Sequence, residues 1–105
     1  MNKNSSVFST TSHLINLKYY FERVRARAVA RLFRAKGYYT IISAGSRGVG
    51  DIVAIKPSEI LLIQCKSSGV LSGLEKQSLK ALALRIGAKA IAALKRKGRL
   101  RIVEI

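Results

Sequence analysis

The fold is decided by residues 45–68, which read GSRGVGDIVAIKPSEILLIQCKSS. This stretch contains two short apolar runs, Asp51–Ile55 and Ile60–Cys65, separated by the turn-forming residues KPSE. Short runs rich in Ile, Val and Leu and bounded by Gly, Pro and Ser are typical of buried strands. The proline presets φ for a turn and cannot donate a hydrogen bond to a neighbouring strand. The stretch therefore predicts a β-hairpin.

The register of this hairpin decides which polar side chains meet. A turn centred within KPSE places Asp51 opposite Gln64. Because side chains alternate along a strand, Gln64 and Lys66 share one face while Cys65 points to the other. A register shifted by one residue is an alternative that would change these neighbours. The simplest hairpin predicts that a carboxylate, an amide and an ammonium group converge at its open end.

The composition is strongly basic. The 105 residues include 20 Lys and Arg against 5 Asp and Glu, which gives a formal net charge of +15. Such a charge favours a polyanionic partner, with nucleic acid as the first candidate and an anionic membrane surface as the second. No stretch approaches the about 20 apolar residues of a membrane-spanning helix, and no signal-type apolar core opens the sequence. The sequence has a single cysteine, which excludes an internal disulfide. We therefore expect an intracellular, cytoplasmic and DNA-associated protein.

The length suits one small domain preceded by an arm. Residues 1–16 are rich in Ser, Thr and Asn without a helical or strand period, and we expect a flexible N-terminal arm. Residues 17–105 are expected to form a single domain. The first helix is predicted to end before Gly37 and to turn one apolar stripe inward, formed by Leu17, Phe21, Val24, Ala28, Leu32 and Ala35.

The remaining elements complete an α/β pattern. Residues 38–43 predict the first strand, and the hairpin follows it. Ser72 and Glu75 form a capping box that opens a second helix, which Gly87 ends. Residues 88–94 and 100–105 predict two closing strands. The expected order is α-β-β-β-α-β-β, a mixed sheet flanked by helices, with the inward positions of the second helix at Leu74, Leu79, Leu82 and Ile86.

The scarcity of acids restricts where a metal ion can bind. Mg²⁺ prefers oxygen ligands, so a site in this chain must draw on its few carboxylate side chains, on carbonyl or amide oxygens and on water. The Gly/Ser-rich loop at residues 44–50 lacks the Lys-Ser/Thr ending of a P-loop, so we expect no nucleotide cofactor. The only carboxylate side chains in the sequence are those of Glu22, Asp51, Glu59, Glu75 and Glu104.

These residues resemble the PD-(D/E)xK nuclease superfamily. The likeness consists of Glu22 in the first helix, Gly45-Ser46 in the loop, Asp51 at a strand start, and Gln-Cys-Lys at 64–66 after an apolar strand. Within the superfamily the layout is similar to archaeal-type Holliday-junction resolvases, including relatives from phages and viruses. The resemblance implies a restriction-endonuclease-like α-β-β-β-α core with a mixed sheet and two closing strands. It also implies a metal-dependent, structure-selective DNA endonuclease that resolves four-way (Holliday) junctions by paired phosphodiester hydrolysis.

The resemblance further implies roles for single residues. Asp51 matches the metal-binding aspartate, and Lys66 matches the lysine that positions or activates the attacking water. Glu22 matches the first-helix glutamate, and Ser46 lies in the loop near the scissile phosphate. The expected cofactor is Mg²⁺, with Mn²⁺ as a substitute. Its candidate ligands are Asp51, Gln64, Glu22 and the carbonyl of Cys65, and the candidate DNA contacts are Arg23, Arg27, Arg47, Lys56 and Ser67.

Two positions depart from the family's motif. Gln64 stands where Glu or Asp is usual, although Gln-x-Lys occurs in the similar Mrr-like restriction endonucleases, and its amide oxygen can still bind Mg²⁺. Gly50 stands where a proline usually precedes the aspartate. Three alternatives therefore stay open: a Mrr-like nuclease on other DNA, an inactive basic DNA-binding module, and a plain Asp51–Lys66 salt bridge at the sheet end.

A homodimer is expected from the size of the chain and from its implied substrate. A small domain has a limited core, and a four-way junction presents two symmetry-related phosphodiesters, so a two-fold dimer would match two active sites to two strands. The apolar closing segments, 90–94 and 100–105, are the predicted interface. The expected partners are therefore branched DNA and a second copy of this chain.

Overall fold

The computed structural model describes residues 13–15, 26–43 and 50–105. It confirms the α/β class and the α-β-β-β-α core with two closing strands, and it adds one short strand before the first helix. The elements are β1 (His13–Ile15), α1 (Ala26–Ala35), β2 (Tyr39–Ile42), β3 (Ile52–Lys56), β4 (Glu59–Lys66), α2 (Gly73–Ile86), β5 (Lys89–Arg96) and β6 (Arg99–Glu104).

The strands of the described residues form one mixed sheet in the order β1-β6-β5-β4-β3-β2. Strands β4 and β5 run parallel, while the other neighbouring pairs are antiparallel. A parallel pair cannot be joined by a tight turn, and α2 provides the crossover between β4 and β5. The hairpin of β3 and β4 therefore lies inside the sheet, with β2 on one side and β5 on the other.

The two helices cover opposite faces of the sheet. On one face, Phe33 of α1 packs in a buried cluster with Leu61 and Ile63 of β4. On the other face, Leu79 of α2 packs in a second buried cluster with Leu62. Alternate residues of β4 thus point to different helices, as the period of a strand requires. The near-continuous apolar run of β4 is explained by burial on both faces.

Strand β1 lies within the segment predicted as a flexible arm. His13–Ile15 pairs antiparallel with β6, with Leu14 opposite Arg101. For these three residues the prediction is wrong, because the edge of β6 offers hydrogen-bonding backbone groups that a short segment can use whatever its side chains are. Residues 1–12 and 16 of the predicted arm lie outside the described residues.

The inward side of α1 differs from the predicted stripe. Val29, Ala30 and Phe33 are buried, whereas Ala35 is exposed. Nearly every residue of α1 is either apolar or Arg. Apolar residues spaced by three and four positions can therefore be chosen on more than one face of this helix. The burial follows the side opposite the arginines, and the predicted positions Ala28 and Leu32 are only partly buried beside it. The stripe positions before residue 26 lie outside the described residues.

Helix α2 has the predicted ends but a different inward side. The Ser72 capping box is present, and Gly87 ends the helix with φ +72°. Leu79 is buried as predicted, but Leu74 is 73% exposed and Ile86 is 42% exposed. The helix carries Leu or Ala on several sides, so its sequence alone does not select the buried one.

Several residues of the predicted dimer interface lie in the interior of the domain. Strands β5 and β6 are neighbours within the sheet, and Ile91 of β5 and Leu100 and Ile102 of β6 are buried. These three residues pack in the α1-side core of their own chain and are not available to a partner. Val103 and Ile105 are only partly buried, and the interface itself stays a prediction. Apolar closing strands signalled a domain core, because a mixed sheet covered on both faces needs apolar residues on both sides of its central strands.

Candidate active site

The hairpin brings Asp51 and Gln64 together at its open end. The register pairs Val53 with Leu62 and Ile52 with Ile63, which is the register that the simplest hairpin predicts. The backbone continues this pairing one residue further, where the N–H of Asp51 donates to the Ile63 carbonyl at 2.8 Å. Since Leu62 belongs to the α2-side cluster, Gln64 and Lys66 lie on that same face of β4.

The Asp51 carboxylate is held by two hydrogen bonds to one of its oxygens. Oδ2 accepts the backbone N–H of Cys65 at 2.8 Å and the Nε2 group of Gln64 at 3.1 Å. Its other oxygen, Oδ1, accepts no hydrogen bond from the described residues. The carboxylate is therefore oriented by the strand beside it, with one oxygen available to a ligand.

Gly50 closes the chain of hydrogen bonds behind Asp51. Its N–H donates to Oε1 of Gln64 at 2.7 Å. The residue has φ +89°, and a Cβ at this position would lie 2.6 Å from Cδ1 of Leu62. Both the backbone conformation and the close approach require glycine here.

Lys66 forms an ion pair with Glu75 of α2. Its Nζ donates to Glu75 Oε2 at 2.5 Å, and Glu75 Oε1 accepts the backbone N–H of Ser72 at 2.8 Å. The hydrogen bond from Lys66, followed by that from Ser72, lowers the pKa of Glu75 below its usual value. In the described part of the chain Lys66 pairs with Glu75 and not with Asp51, so the simple Asp51–Lys66 salt bridge is not formed.

Glu75 is the site residue that sequence reasoning missed. Its place in a Ser-x-x-Glu box accounted for it as a helix cap, and the structure shows that one carboxylate serves both the cap and Lys66. The available signal was the short distance in sequence between the Lys66 strand end and the helix start. A short connection, residues 67–72, keeps the start of α2 within reach of the end of β4.

Cys65 points away from the cluster. It packs against the α1-side core, and burial, reinforced by the charge of Asp51, raises the pKa of its thiol to about 12. The thiol is therefore protonated and unreactive at neutral pH. Its contribution to the site is the backbone N–H that holds Asp51.

The donor set at the open end fits a hard divalent cation only in part. The described residues contain no cluster of three or more His, Cys, Asp and Glu side chains that could enclose a metal. Mg²⁺ nevertheless needs only one or two carboxylates when waters and substrate phosphates complete its octahedron. Asp51 supplies one such carboxylate, whereas Glu22, the other predicted acidic ligand, lies outside the described residues.

The predicted DNA contacts occupy different parts of the molecule. Arg27 is exposed at the start of α1, on the sheet face opposite the Asp51 cluster. Lys56 lies at the turn end of the hairpin, with Nζ 4.5 Å from the centre of the Tyr38 ring, roughly 17 Å along the strand from Asp51. Ser67 directly follows Lys66 at the site. Arg23, Ser46 and Arg47 lie outside the described residues.

A second polar cluster occupies the turn end of the sheet. The buried Glu59 accepts the hydroxyl of Tyr38 at 2.9 Å and the ammonium of Lys89 at 3.5 Å. Burial raises the pKa of Glu104, which lies near both charged groups, and its Oε1 is buried without a hydrogen-bond partner among the described residues. This cluster is separated from the Asp51 site by the length of the hairpin.

The fold is consistent with the PD-(D/E)xK class of nuclease domains. A family model described as archaeal Holliday junction resolvase (Hjc) matches residues 22–105. The match covers most of the sequence, and the chain therefore belongs to the archaeal Holliday junction resolvase family.

The comparison with solved structures agrees on the fold. The chain is similar to Hjc, a Holliday junction resolvase from the archaeal hyperthermophile Archaeoglobus fulgidus, with a TM-score of 0.56 and 24% sequence identity. The similarity covers 73% of this chain and 86% of that chain. No curated protein matches the sequence. Among the described residues, no helix has the length and apolar character needed to cross a membrane.

Proposed function

We propose that this chain is a Mg²⁺-dependent endonuclease, with Mn²⁺ as a substitute, that cuts four-way DNA junctions by paired phosphodiester hydrolysis. The observation that carries the proposal is the placement of Asp51, Gln64 and Lys66 on one face at the end of a buried hairpin. A carboxylate oriented by two N–H donors, with a lysine on the same face of the sheet, suits phosphodiester hydrolysis. The family assignment supports the same class of activity.

Each residue of the cluster has a distinct part in this proposal. Asp51 would hold the metal, with Gln64, the Cys65 carbonyl and Glu22 as the further predicted oxygen ligands. A bound Mg²⁺ would acidify a water molecule and neutralise charge on the scissile phosphate. Lys66 places its ammonium group where negative charge develops in the transition state, and Glu75 holds that group at the end of β4. Ser46 stays a predicted contact of the scissile phosphate.

The DNA backbone is proposed to contact the arginines of α1. Arg27 and Arg31 are exposed, and within the described chain neither forms an ion pair. Helix α1 turns through Gly37 beside the side chain of Lys56, so its C-terminal end lies at the turn end of the hairpin. Because α1 packs against β2 and β3, its N-terminal end and Arg27 point toward the end that holds Asp51. The predicted contacts Arg23, Arg47 and Ser67 would extend this basic surface.

A homodimer is proposed to form through the outward face of α2. Leu74 and Leu84 are 73% and 83% exposed. Ala81 lies between them in the sequence, and because the three residues are spaced by seven and then three positions, they share one side of the helix. Such a row of exposed apolar side chains is typical of a protein contact. We propose a second copy as its occupant, since each chain supplies one Asp51 cluster and a junction offers two equivalent strands.

A cleavage assay tests the proposed activity directly. Purified protein is incubated with Mg²⁺ and a four-way junction, and matched linear duplex and single-stranded DNA serve as controls. The wild type should cut the junction in preference to the controls, and Asp51→Asn should bind the junction without cutting it. Preferential cutting of linear duplex would instead support the Mrr-like alternative. Equal cutting by Asp51→Asn would show that the site is assigned wrongly.

The inactive DNA-binding module is the second candidate, and the neutral Gln64 is the observation that favours it. An amide contributes no charge toward a cation. If the wild type cuts no DNA in Mg²⁺ or Mn²⁺ while Gln64→Glu cuts junctions, the chain is a binding module that lost its activity at this position. Junction binding would persist in both proteins.

Light scattering tests the dimer. The wild type should be dimeric at micromolar concentration, and Leu84→Lys should be monomeric with an unchanged circular dichroism spectrum, because the side chain is already exposed. Arg27→Ala is the matched control on the other helix and should remain dimeric. A monomeric wild type, or a dimer that survives Leu84→Lys, would contradict this interface.

A further inference from the structure

We infer that Gln64 is a positioning residue: together with Gly50 it holds the Asp51 carboxylate in its working orientation before any metal ion binds. The inference rests on the proposed function only in taking Asp51 as the metal-binding carboxylate. The chain of hydrogen bonds that carries it, from Gly50 through Gln64 to Asp51, consists of contacts between described residues.

The first link requires the glycine at position 50. Its N–H donates to Gln64 Oε1 at 2.7 Å while the backbone holds φ +89°. A proline has no N–H, and its ring fixes φ near about −65°. This bond can therefore form only because position 50 is not a proline, and glycine adopts the required conformation at the lowest cost.

The second link requires the amide at position 64. Gln64 Nε2 donates to Asp51 Oδ2 at 3.1 Å. An ionised glutamate at position 64 could accept the Gly50 N–H but has no proton to donate to Asp51. It would instead place a second negative charge against the first, which is unfavourable at this distance. Among these two side chains, only the amide can accept at one end and donate at the other.

The orientation of the amide follows from its two neighbours. If the amide were turned over, Nε2 would face the N–H of Gly50, and Oε1 would face the carboxylate of Asp51. A donor would then face a donor at Gly50, and an acceptor would face an acceptor at Asp51. The orientation with Oε1 on Gly50 and Nε2 on Asp51 is the one that satisfies all of these groups.

The two departures from the family's motif, Gly50 and Gln64, are thus a matched pair. In a site with two facing carboxylates, the charges repel until a cation or a proton comes between them. Here the amide supplies the donor that such a site lacks, and the N–H of Cys65 supplies a second at 2.8 Å. Both donors act on Oδ2, so Asp51 is ordered without a metal and keeps Oδ1 for one. Gln64 acts on the metal through Asp51, since its Nε2 donates to that carboxylate while its Oε1 accepts from Gly50.

Thermal unfolding in the presence of a chelator tests this inference without relying on activity. Gln64→Glu keeps the shape of the side chain and removes the donor. At mildly alkaline pH we expect its unfolding temperature to lie about 4 °C or more below that of the wild type. An unfolding temperature equal to that of the wild type would overturn the inference.

An exchanged pair provides the matched control. The double variant Asp51→Asn with Gln64→Glu again has one amide and one carboxylate facing each other. In chelator it should recover most of the loss seen in Gln64→Glu. If it does not recover, the single variant was disturbed by packing and not by missing donation, and the inference fails.

Adding Mg²⁺ alone separates this inference from the proposed function. Magnesium should raise the unfolding temperature of Gln64→Glu by more than it raises that of the wild type, because the cation replaces the missing donor between two charges. If the loss in chelator and its recovery in the exchanged pair are observed but Mg²⁺ has no effect, the positioning role holds and Asp51 is not a metal ligand. In that case the proposed metal-dependent cleavage fails, and the hydrogen-bond inference survives.

Discussion

Replacing Gly50 with alanine should destabilise the protein far more than the same change at Gly87. Both glycines have a left-handed backbone, with φ +89° at Gly50 and φ +72° at Gly87. A Cβ at Gly87 would meet no atom within 4 Å, whereas one at Gly50 would lie 2.6 Å from Leu62 Cδ1 and 3.1 Å from its Cγ. The two substitutions therefore share the backbone cost and differ in the steric one.

The expected magnitude follows from these two costs. Holding an L-residue in the left-handed region costs about 1–2 kcal/mol, which applies at both positions. Leu62 is buried in the α2-side cluster, and forcing such a side chain aside costs a further about 1–3 kcal/mol. Gly50→Ala should therefore lose about 2–5 kcal/mol and Gly87→Ala about 1–2 kcal/mol. The gain from a stiffer unfolded chain is common to both variants and cancels in the comparison.

Urea denaturation followed by circular dichroism measures both losses. The double variant Gly50→Ala with Leu62→Ala removes the clash, so its loss should be smaller than the sum of the two single losses by about 1–3 kcal/mol. The reasoning is refuted if Gly50→Ala loses no more than Gly87→Ala, or if the double variant is strictly additive. Gly50→Ala should also cut junctions more slowly under folding conditions, since Gly50 adjoins Asp51 and holds Gln64.

Three further expectations concern charged groups. Glu75→Gln keeps an oxygen for the helix cap but removes the charge that holds Lys66. The cleavage kcat should therefore fall by up to about 100-fold, while junction affinity stays unchanged. An equal fall of kcat in Ser72→Ala would mean that only the cap matters. The folded-state pKa of Glu104 is raised by burial, so its stabilising contribution is present below the unfolded pKa and is lost as pH rises through the folded one. Glu104→Gln should thus be more stable than the wild type at neutral pH, by under about 1 kcal/mol for a partly solvated group. In thermal melts this difference in stability should vanish below about pH 4. A difference that stays constant across pH would contradict this expectation. Junction binding should weaken as the salt concentration rises. Arg27→Ala should reduce the slope of log binding constant against log salt concentration by about 0.9, the value for one lost phosphate contact. An unchanged slope would show that α1 is not part of the DNA-binding surface.

The polar cluster was predictable because strand alternation is a local rule. Once the KPSE turn set the register, the pairing of Asp51 with the side chain at position 64 and the shared face of Gln64 and Lys66 followed from a period of two. The capping box at Ser72 and the stop at Gly87 were predictable for the same reason, since each involves groups only a few residues apart.

The helix faces could not be predicted in this way. Helix α2 carries Leu at positions 74, 79, 82 and 84, and only the position of the sheet beneath it decides that Leu79 is buried while Leu84 is exposed. The same holds for β5 and β6, whose apolar residues suit either a core or an interface until the sheet order places them in the interior.

The sequence by itself determined the hairpin, the mixed α/β order and, in the simplest register, the meeting of Asp51 with Gln64, because each depends on spacing along one or two neighbouring segments. Only the tertiary structure decided that Lys66 pairs with Glu75. It also decided that Gly50 and Gln64 form one chain of hydrogen bonds to Asp51. The physical reason is that hydrogen bonds and ion pairs act over about 3 Å. Distances of that size between separate elements are set by how the elements pack together.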